Sequence, residues 1–280
     1  MADTTTVEVD LAGRVIVITG AGQGLGRAYA VRTASCGGRV VVNDIDAVAA
    51  EETAAVIRQA GGQAAVHVGL VEDPATGPQL VEVARSQFGG LDGAILNAGV
   101  LDVKSPADFT TQEMRRMIEV NVLGTMFCAV PALATMIEQG HGTILLVTSG
   151  ARFGMPGLSA YGASKGAVAS LVWGWASEAG PHGVRVNAIS PLALTAMLAQ
   201  NPLVSGGPAP ERIAPAAVYL VSAENPLNGE IVRFDGDSLS IHLQQGSAMT
   251  DPISREHWST TDVANAIQET LATRSLGDPL

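Results

Sequence analysis

The 280-residue sequence predicts a single-domain α/β fold, a doubly wound parallel sheet of about seven strands with helices on both faces. Three observations predict it. Short apolar, β-branched runs alternate with helix-length segments from residue 14 to residue 234. The first run leads straight into a glycine-rich turn and a helix pattern, and the second ends in an acid, Asp44, eighteen residues after Gly26.

In order along the chain, RVIVIT (14–19) has the composition of a central parallel strand covered on both faces. It runs into TGAGQGLG (19–26), in which Gly20, Gly24 and Gly26 let the backbone turn sharply and approach a pyrophosphate at a helix N-terminus. The helix that follows stops at Gly37-Gly38, and the strand RVVVND (39–44) comes next. A helix over about 46–60, the strand 64–70 and a helix over about 74–88 continue the alternation. The strand GAILNAG (93–99), a long helical region over 110–139, the strand 144–148, a helix over about 159–179 and the strand 184–190 follow. Residues 192–210 are punctuated by proline and glycine and read as an irregular flap, before a helix near 211–223 and a last strand, 230–234. Residues 1–10 read as a flexible N-terminus, 11–245 as the dinucleotide-binding catalytic domain, and 246–280 as a more polar extension whose STTD (259–262) starts a helix.

Composition narrows the function classes. The chain is 47% apolar and 15% charged, which suits a folded domain. A net charge of −11 argues against a nucleic acid or an anionic membrane as partner and points to a small molecule. Cys36 and Cys128 form no CxxC, and the five histidines show no ligand spacing, so no disulfide framework and no metal site is expected. The N-terminus lacks a basic stretch followed by an apolar run, and no apolar segment is expected to span a bilayer; the expected location is cytoplasmic.

Tyr161 and Lys165 lie one turn apart on one face of the helix over 159–179. A tyrosine hydroxyl titrates near ~10, and a lysine ammonium beside it favours the phenolate, making the pair a candidate proton-transfer device. A solvated surface pair is the competing reading, but the chain has only two lysines and three tyrosines. Asp44 would accept hydrogen bonds from adenosine ribose hydroxyls and repel a 2′-phosphate; no Arg or Lys lies between Gly20 and Gly26 to bind one. NAD is therefore expected over NADP.

With these residues in place, the chain resembles the short-chain dehydrogenase/reductase family over about residues 10–240, in the branch that includes the dehydrogenase part of peroxisomal multifunctional enzymes. The resemblance rests on an ordered set: TGxxxGxG, an acid after the second strand, NAG after the fourth, an Asn in the long helix, a Ser after the fifth strand, and YxxxK. It implies a Rossmann-type fold and hydride transfer between nicotinamide and a carbinol carbon. It makes Tyr161 the catalytic acid/base and Lys165 the group that lowers its pKa and binds the nicotinamide ribose. Ser149 would position the substrate oxygen, and Asn121 would hold a water that relays protons to Lys165. The cofactor contacts it implies fall on Gly20, Gly24, Leu25, Gly26, Asp44, Leu70, Val71, Asn97, Ala98, Gly99, Tyr161, Lys165, Pro191 and Thr195. It also implies a homo-oligomer, a dimer or tetramer, built on the long helix and the Tyr161 helix.

Four departures from the family pattern stand out. Leu96 replaces the first Asn of NNAG, Leu70 stands where an Asp commonly contacts adenine, and Leu192 follows Pro191 where Gly is usual. Ser149 lies twelve residues before Tyr161 rather than thirteen, which leaves Thr148 as the competing hydroxyl; a loop absorbs a deletion more easily than a strand does, which favours Ser149. Leu192, Leu194, Met197, Leu198, Leu203, Phe153 and Met155 suggest an apolar pocket for a secondary alcohol or ketone on a hydrophobic body: a hydroxyacyl thioester, a steroid or a terpenoid. One alternative is a catalytically impaired cofactor-binding protein of the same fold. The other is a serine hydrolase, because residues 162–166 match GxSxG, although no strand precedes them.

Overall fold

The computed structural model describes residues 9–193 and 206–242. Eight strands form one sheet: β1 (Val15–Thr19), β2 (Arg39–Asp44), β3 (Gln63–Val68), β4 (Gly93–Leu96), β5 (Gly142–Val147), β6 (Val184–Pro191), β7 (Ile231–Phe234) and β8 (Leu239–Ile241). Their order is β3-β2-β1-β4-β5-β6-β7-β8. The first seven are parallel, and β8 returns antiparallel to β7.

Strand residues point alternately to two apolar layers, which is why these runs are apolar throughout rather than alternating with polar residues. Val15, Val17, Ile144 and Leu146 face one core, and Ile16, Ile18, Leu145 and Val147 face the other. Helices α1 (Gly24–Ser35) and α2 (Ala47–Gln59) cover the second layer. Helix α3 (Thr76–Phe88) lies on the first, with α5 (Thr125–Gln139) and α6 (Ser159–Ala179), while α4 (Thr111–Ile118) packs against α6. The last described helix, α7 (Pro210–Val221), joins α1 on the second layer. The chain order reverses between β1 and β4, so the carboxyl ends of these strands open the crevice where such sheets bind ligands.

Three features differ from the sequence reading. The eighth strand is new: it is three residues long and exposed throughout, too short for its Leu-Ser-Ile alternation to stand out, and it follows the turn in which Asp235 Oδ1 accepts from the N–H groups of Asp237 and Ser238. The long helical region over Thr111–Gln139 widens to a π-helix at Glu119–Gly124. That run is also apolar and long enough to cross a bilayer by length and composition, contrary to expectation, and 56% of its most apolar window is buried inside the fold. The segments 1–8, 194–205 and 243–280, which hold most of the expected flap and the whole polar extension, lie outside the described residues.

Candidate active site

The dinucleotide end is built from three strand ends held level by pairing, Thr19 opposite both Asn43 and Leu96. Asn97 ties them together. Its side-chain amide donates to the carbonyls of Thr19 and Gly20, both at 3.1 Å, while Thr19 Oγ1 accepts from the N–H groups of Asn97 and Ala98. Gly20 has a left-handed φ of 60°, and a Cβ there would stand 2.9 Å from Ala98 Cα. Gly26 is more constrained still, because its Cβ would lie 2.0 Å from Gly20 O.

Helix α1 then starts with no side-chain cap and no acid in its first turn, whereas α2 is capped by Asp46 and α4 by a reciprocal Thr110/Glu113 box. Its first N–H groups are the ones left for an anion. Asp44, 8% exposed, accepts from Gly22 N through Oδ2 at 2.8 Å and from Asp46 N through Oδ1 at 3.1 Å. Each carboxylate oxygen keeps lone-pair capacity for a ribose hydroxyl. Gly22 is a residue the glycine spacing alone did not single out: its N–H fixes Asp44, and a Cβ there would meet Asp44 Oδ2 at 2.9 Å. A bare turn, an open helix start and a fixed acid fit a dinucleotide.

The second half lies at the carboxyl end of β5. Lys165 is 3% exposed and donates to the carbonyl of Val147, the last residue of β5, at 2.8 Å. Its Nζ sits 5.7 Å from the centre of the Tyr161 ring. Ser149 opens a short 3-10 turn, Gly150–Phe153, with its Oγ accepting from Ala151 N at 3.1 Å. The hydroxyl proton is free to point at the phenol, and hydrogen bonding from Ser149 favours the phenolate of Tyr161. Gly162 lets this turn seat on the start of α6, because a Cβ there would stand 2.4 Å from Ala151 O.

Thr148, the competing hydroxyl, is 1% exposed, and its Oγ1 donates to the carbonyl of Lys165 at 2.8 Å. Asn121, fully buried in the π-helical turn, accepts from Val100 N at 2.7 Å and donates to Val100 O at 2.9 Å. It also donates to Ser164 Oγ at 3.0 Å, which in turn donates to the carbonyl of Tyr161 at 2.7 Å. The side-chain amide is thus spent on holding the loop after β4 and the Tyr161 turn, so the expected water relay is left to its main-chain carbonyl, which already accepts from Thr125 Oγ1. Gly99 fits between these groups: a Cβ there would lie 3.1 Å from Asn121 Oδ1 and 3.6 Å from Lys165 Nζ.

The electrostatics correct one expectation. Tyr161 is pushed up to about 12 by loss of water, with Ser149 pulling the other way, and Lys165 is pushed down to about 8 by its own burial. The ammonium is no leading cause of any shift on the phenol, because both groups lose more by leaving water than they gain from each other.

Other predicted residues fall as follows. Val71 is buried against Gly124 of the π-helical turn and serves packing, while Leu70 is 43% exposed at the rim. Leu96 belongs to the core, so the missing Asn of NNAG is replaced by apolar packing. Pro191 ends β6 opposite Phe234, and Leu192 N donates to Phe234 O at 3.0 Å. Leu25 lies in the first turn of α1. Thr195, with Leu194, Met197, Leu198 and Leu203, lies outside the described residues. Ser164 of the GxSxG match is fully buried inside a helix with no strand before it, so the hydrolase reading fails.

The sequence model for the short chain dehydrogenase family matches residues 14–202. The chain belongs to the short-chain dehydrogenase family. Two named relatives are similar to it. A cis-4-hydroxycyclohexanecarboxylate dehydrogenase of Sinomonas cyclohexanicum is 35% identical over 246 residues, which is 80% of this chain and 96% of that protein. The peroxisomal hydratase-dehydrogenase-epimerase of Saccharomyces cerevisiae is 34% identical over 230 residues, 78% of this short-chain dehydrogenase but only 25% of the yeast protein. A crystal structure of a short chain dehydrogenase from Mycobacterium paratuberculosis bound to NAD superposes with a TM-score of 0.75 at 29% identity, covering 81% of this chain and 98% of that one.

Proposed function

We propose that this short-chain dehydrogenase moves a hydride between NAD and the carbinol carbon of a secondary alcohol or ketone carried on a hydrophobic body. The observation that carries this is the meeting of the Ser149 hydroxyl, the Tyr161 phenol and the buried Lys165 ammonium at the end of β5. When bound, the nicotinamide supplies or accepts the hydride.

The chain's own residues do the rest. The bare Gly20–Gly26 turn and the uncapped start of α1 would hold the pyrophosphate, and Asp44 would hold the ribose and turn away a 2′-phosphate. Ser149 would donate to the reacting oxygen, and Tyr161 would pass its proton to that oxygen or take it back. At about 12 the phenol is set to give a proton to a carbonyl. To take one it needs the positive charge of Lys165, which at about 8 is mostly present at neutral pH. Asn121, acting through Ser164, would keep the Tyr161 turn in place.

The likeness to the cis-4-hydroxycyclohexanecarboxylate dehydrogenase of Sinomonas supports an alcohol on an apolar ring, and the exposed Phe153 and Met155 supply apolar surface near Ser149. We also propose a homo-oligomer, since Met114, Ile118, Leu123 and Val130 leave apolar surface exposed along the long helix. The test of the reaction is a screen of secondary alcohols with NAD, watching for reduced nicotinamide. Tyr161→Phe should lose turnover and keep the rise in melting temperature that NAD gives; a variant that still turns over refutes the assignment.

A further inference from the structure

Beyond Ser149, on the side of β5 away from β1, three basic side chains converge. Arg152 sits on the Ser149 turn, with its guanidinium 4.3 Å from the centre of the Phe153 ring. Arg233 comes from β7, paired in register with Ser190; its Nη1 lies 3.4 Å from Ser190 O and 4.0 Å from where a Cβ on Gly150 would stand. His242, just after β8, has its ring 5.4 Å from that of Phe153. Burial first, and then the charges of Arg152 and Arg233, hold its pKa below the usual histidine value.

Among the described residues this cluster is not neutralised. Among the described residues no carboxylate lies within ion-pair distance of Arg152 or Arg233. Asp235, which feels Arg233, is engaged first by the N–H groups of Ser238 and Asp237. Arg152 Nη1 and His242 Nε2 are buried and find no hydrogen-bond partner among the described residues, and neither does the fully buried Ser190 Oγ. Two half-buried guanidinium groups beside an imidazole, with buried polar atoms left without partners, are costly to gather unless an anion completes them. The chain as a whole carries −11, so the cluster runs against the overall charge.

We propose that Arg152, Arg233 and His242 form a subsite for a carboxylate on the substrate, beside the hydroxyl that positions the reacting oxygen. This rests on the dehydrogenase reading and narrows it to hydroxy or keto acids on an apolar skeleton, with the Phe153 face against the skeleton. The cofactor's phosphates do not compete for it: β7 lies four strands from β1 in the sheet order, roughly 19 Å at the usual strand spacing. Ser149 follows β5, two strands away, roughly 10 Å.

The test uses the full chain with NAD, and cyclohexanecarboxylate against cyclohexanecarboxamide as the neutral isostere. The carboxylate should raise the melting temperature above that with NAD alone and bind at least about 10-fold tighter than the amide. Arg152→Gln and Arg233→Gln should each weaken carboxylate binding by about 10- to 100-fold. Both should also lower the kcat/KM ratio of hydroxy acids to their methyl esters, chiefly through KM. A retained NAD-induced melting shift shows that each variant is folded. Equal binding of carboxylate and amide by the wild type, or unchanged carboxylate binding in both variants, overturns the subsite. Binding of the carboxylate without oxidation of any alcohol supports the subsite and sinks the dehydrogenase reading; turnover of neutral alcohols with no preference for acids does the reverse.

Discussion

Adding one methyl group at Gly26 probes the geometry that makes the β1–α1 turn a dinucleotide cradle. In Gly26→Ala the new Cβ would stand 2.0 Å from Gly20 O and 2.6 Å from Asn97 Nδ2. Neither neighbour can yield cheaply. Gly20 O is held by Asn97 at 3.1 Å, and Gly20 itself already has no room for a Cβ against Ala98 Cα. Relief therefore means moving α1 away from β1 and β4. Overpacking costs about 1–3 kcal/mol in typical cores, and a clash between backbone atoms belongs at the upper end, about 3 kcal/mol. At about 2–4 °C per kcal/mol for a domain of this size, the melting temperature should fall by roughly 6–12 °C. The NAD-induced shift should shrink as well, because the N–H groups that would meet the pyrophosphate move with the helix. Gly174→Ala is the control: it is exposed within α6, and its Cβ would meet nothing within 4 Å. That substitution should stabilise by about 0.5–1 kcal/mol through the unfolded chain. Both variants would be followed by thermal unfolding with and without NAD. A Gly26→Ala protein that melts with the wild type and keeps the full NAD shift would refute the packing argument.

Other consequences are open to direct measurement. Ser149→Ala should cut turnover by about 100-fold or more, while Thr148→Val should cost only about 1 kcal/mol of stability through the lost bond to Lys165 O; the reverse pattern of rates would move the role to Thr148. Lys165 carries a folded-state pKa of about 8 against 10.5, so between about pH 8 and 10 the unfolded chain binds more protons at this site and the folded protein gains stability as pH rises. Above about 10 the raised Tyr161 pKa acts in the opposite direction, since the unfolded tyrosine ionises first. Urea unfolding of wild type against Lys165→Met should show the wild type catching up over pH 8–10, and a constant gap would contradict the burial of the ammonium. Asp44→Ala should weaken NAD and narrow the preference over NADP, read from the two Kd values, because the fixed negative charge at the ribose is gone; an unchanged preference removes Asp44 from the site.

Much of this was legible from local pattern. Seven strands and their helices followed from alternating apolar runs and glycine stops, since a strand buried on both faces needs an unbroken apolar run. The eighth strand did not, because Leu239–Ile241 is exposed and owes its place to a turn and to pairing with β7. Asn97 and Asn121 were picked out as site residues, but their donor partners on β1, the β4 loop and α6 come from remote parts of the chain. Arg152, Arg233 and His242 carried no sequence signal as a group, being up to ninety residues apart and in no motif.

The sequence by itself determined the parallel α/β sheet, the glycine turn with its following acid, and the Tyr161/Lys165 pair, because each depends on spacing within one element or between neighbours in order. Tertiary structure added to the sequence's preference for Ser149 over Thr148 the fact that Thr148 Oγ1 is spent on Lys165 O, whereas Ser149 Oγ only accepts, from Ala151 N. It also decided that burial outweighs the lysine's pull on the phenol. The first outcome depends on which partners the packed elements bring to each hydroxyl and the second on how much water the assembled layers expel, and no spacing of residues encodes either.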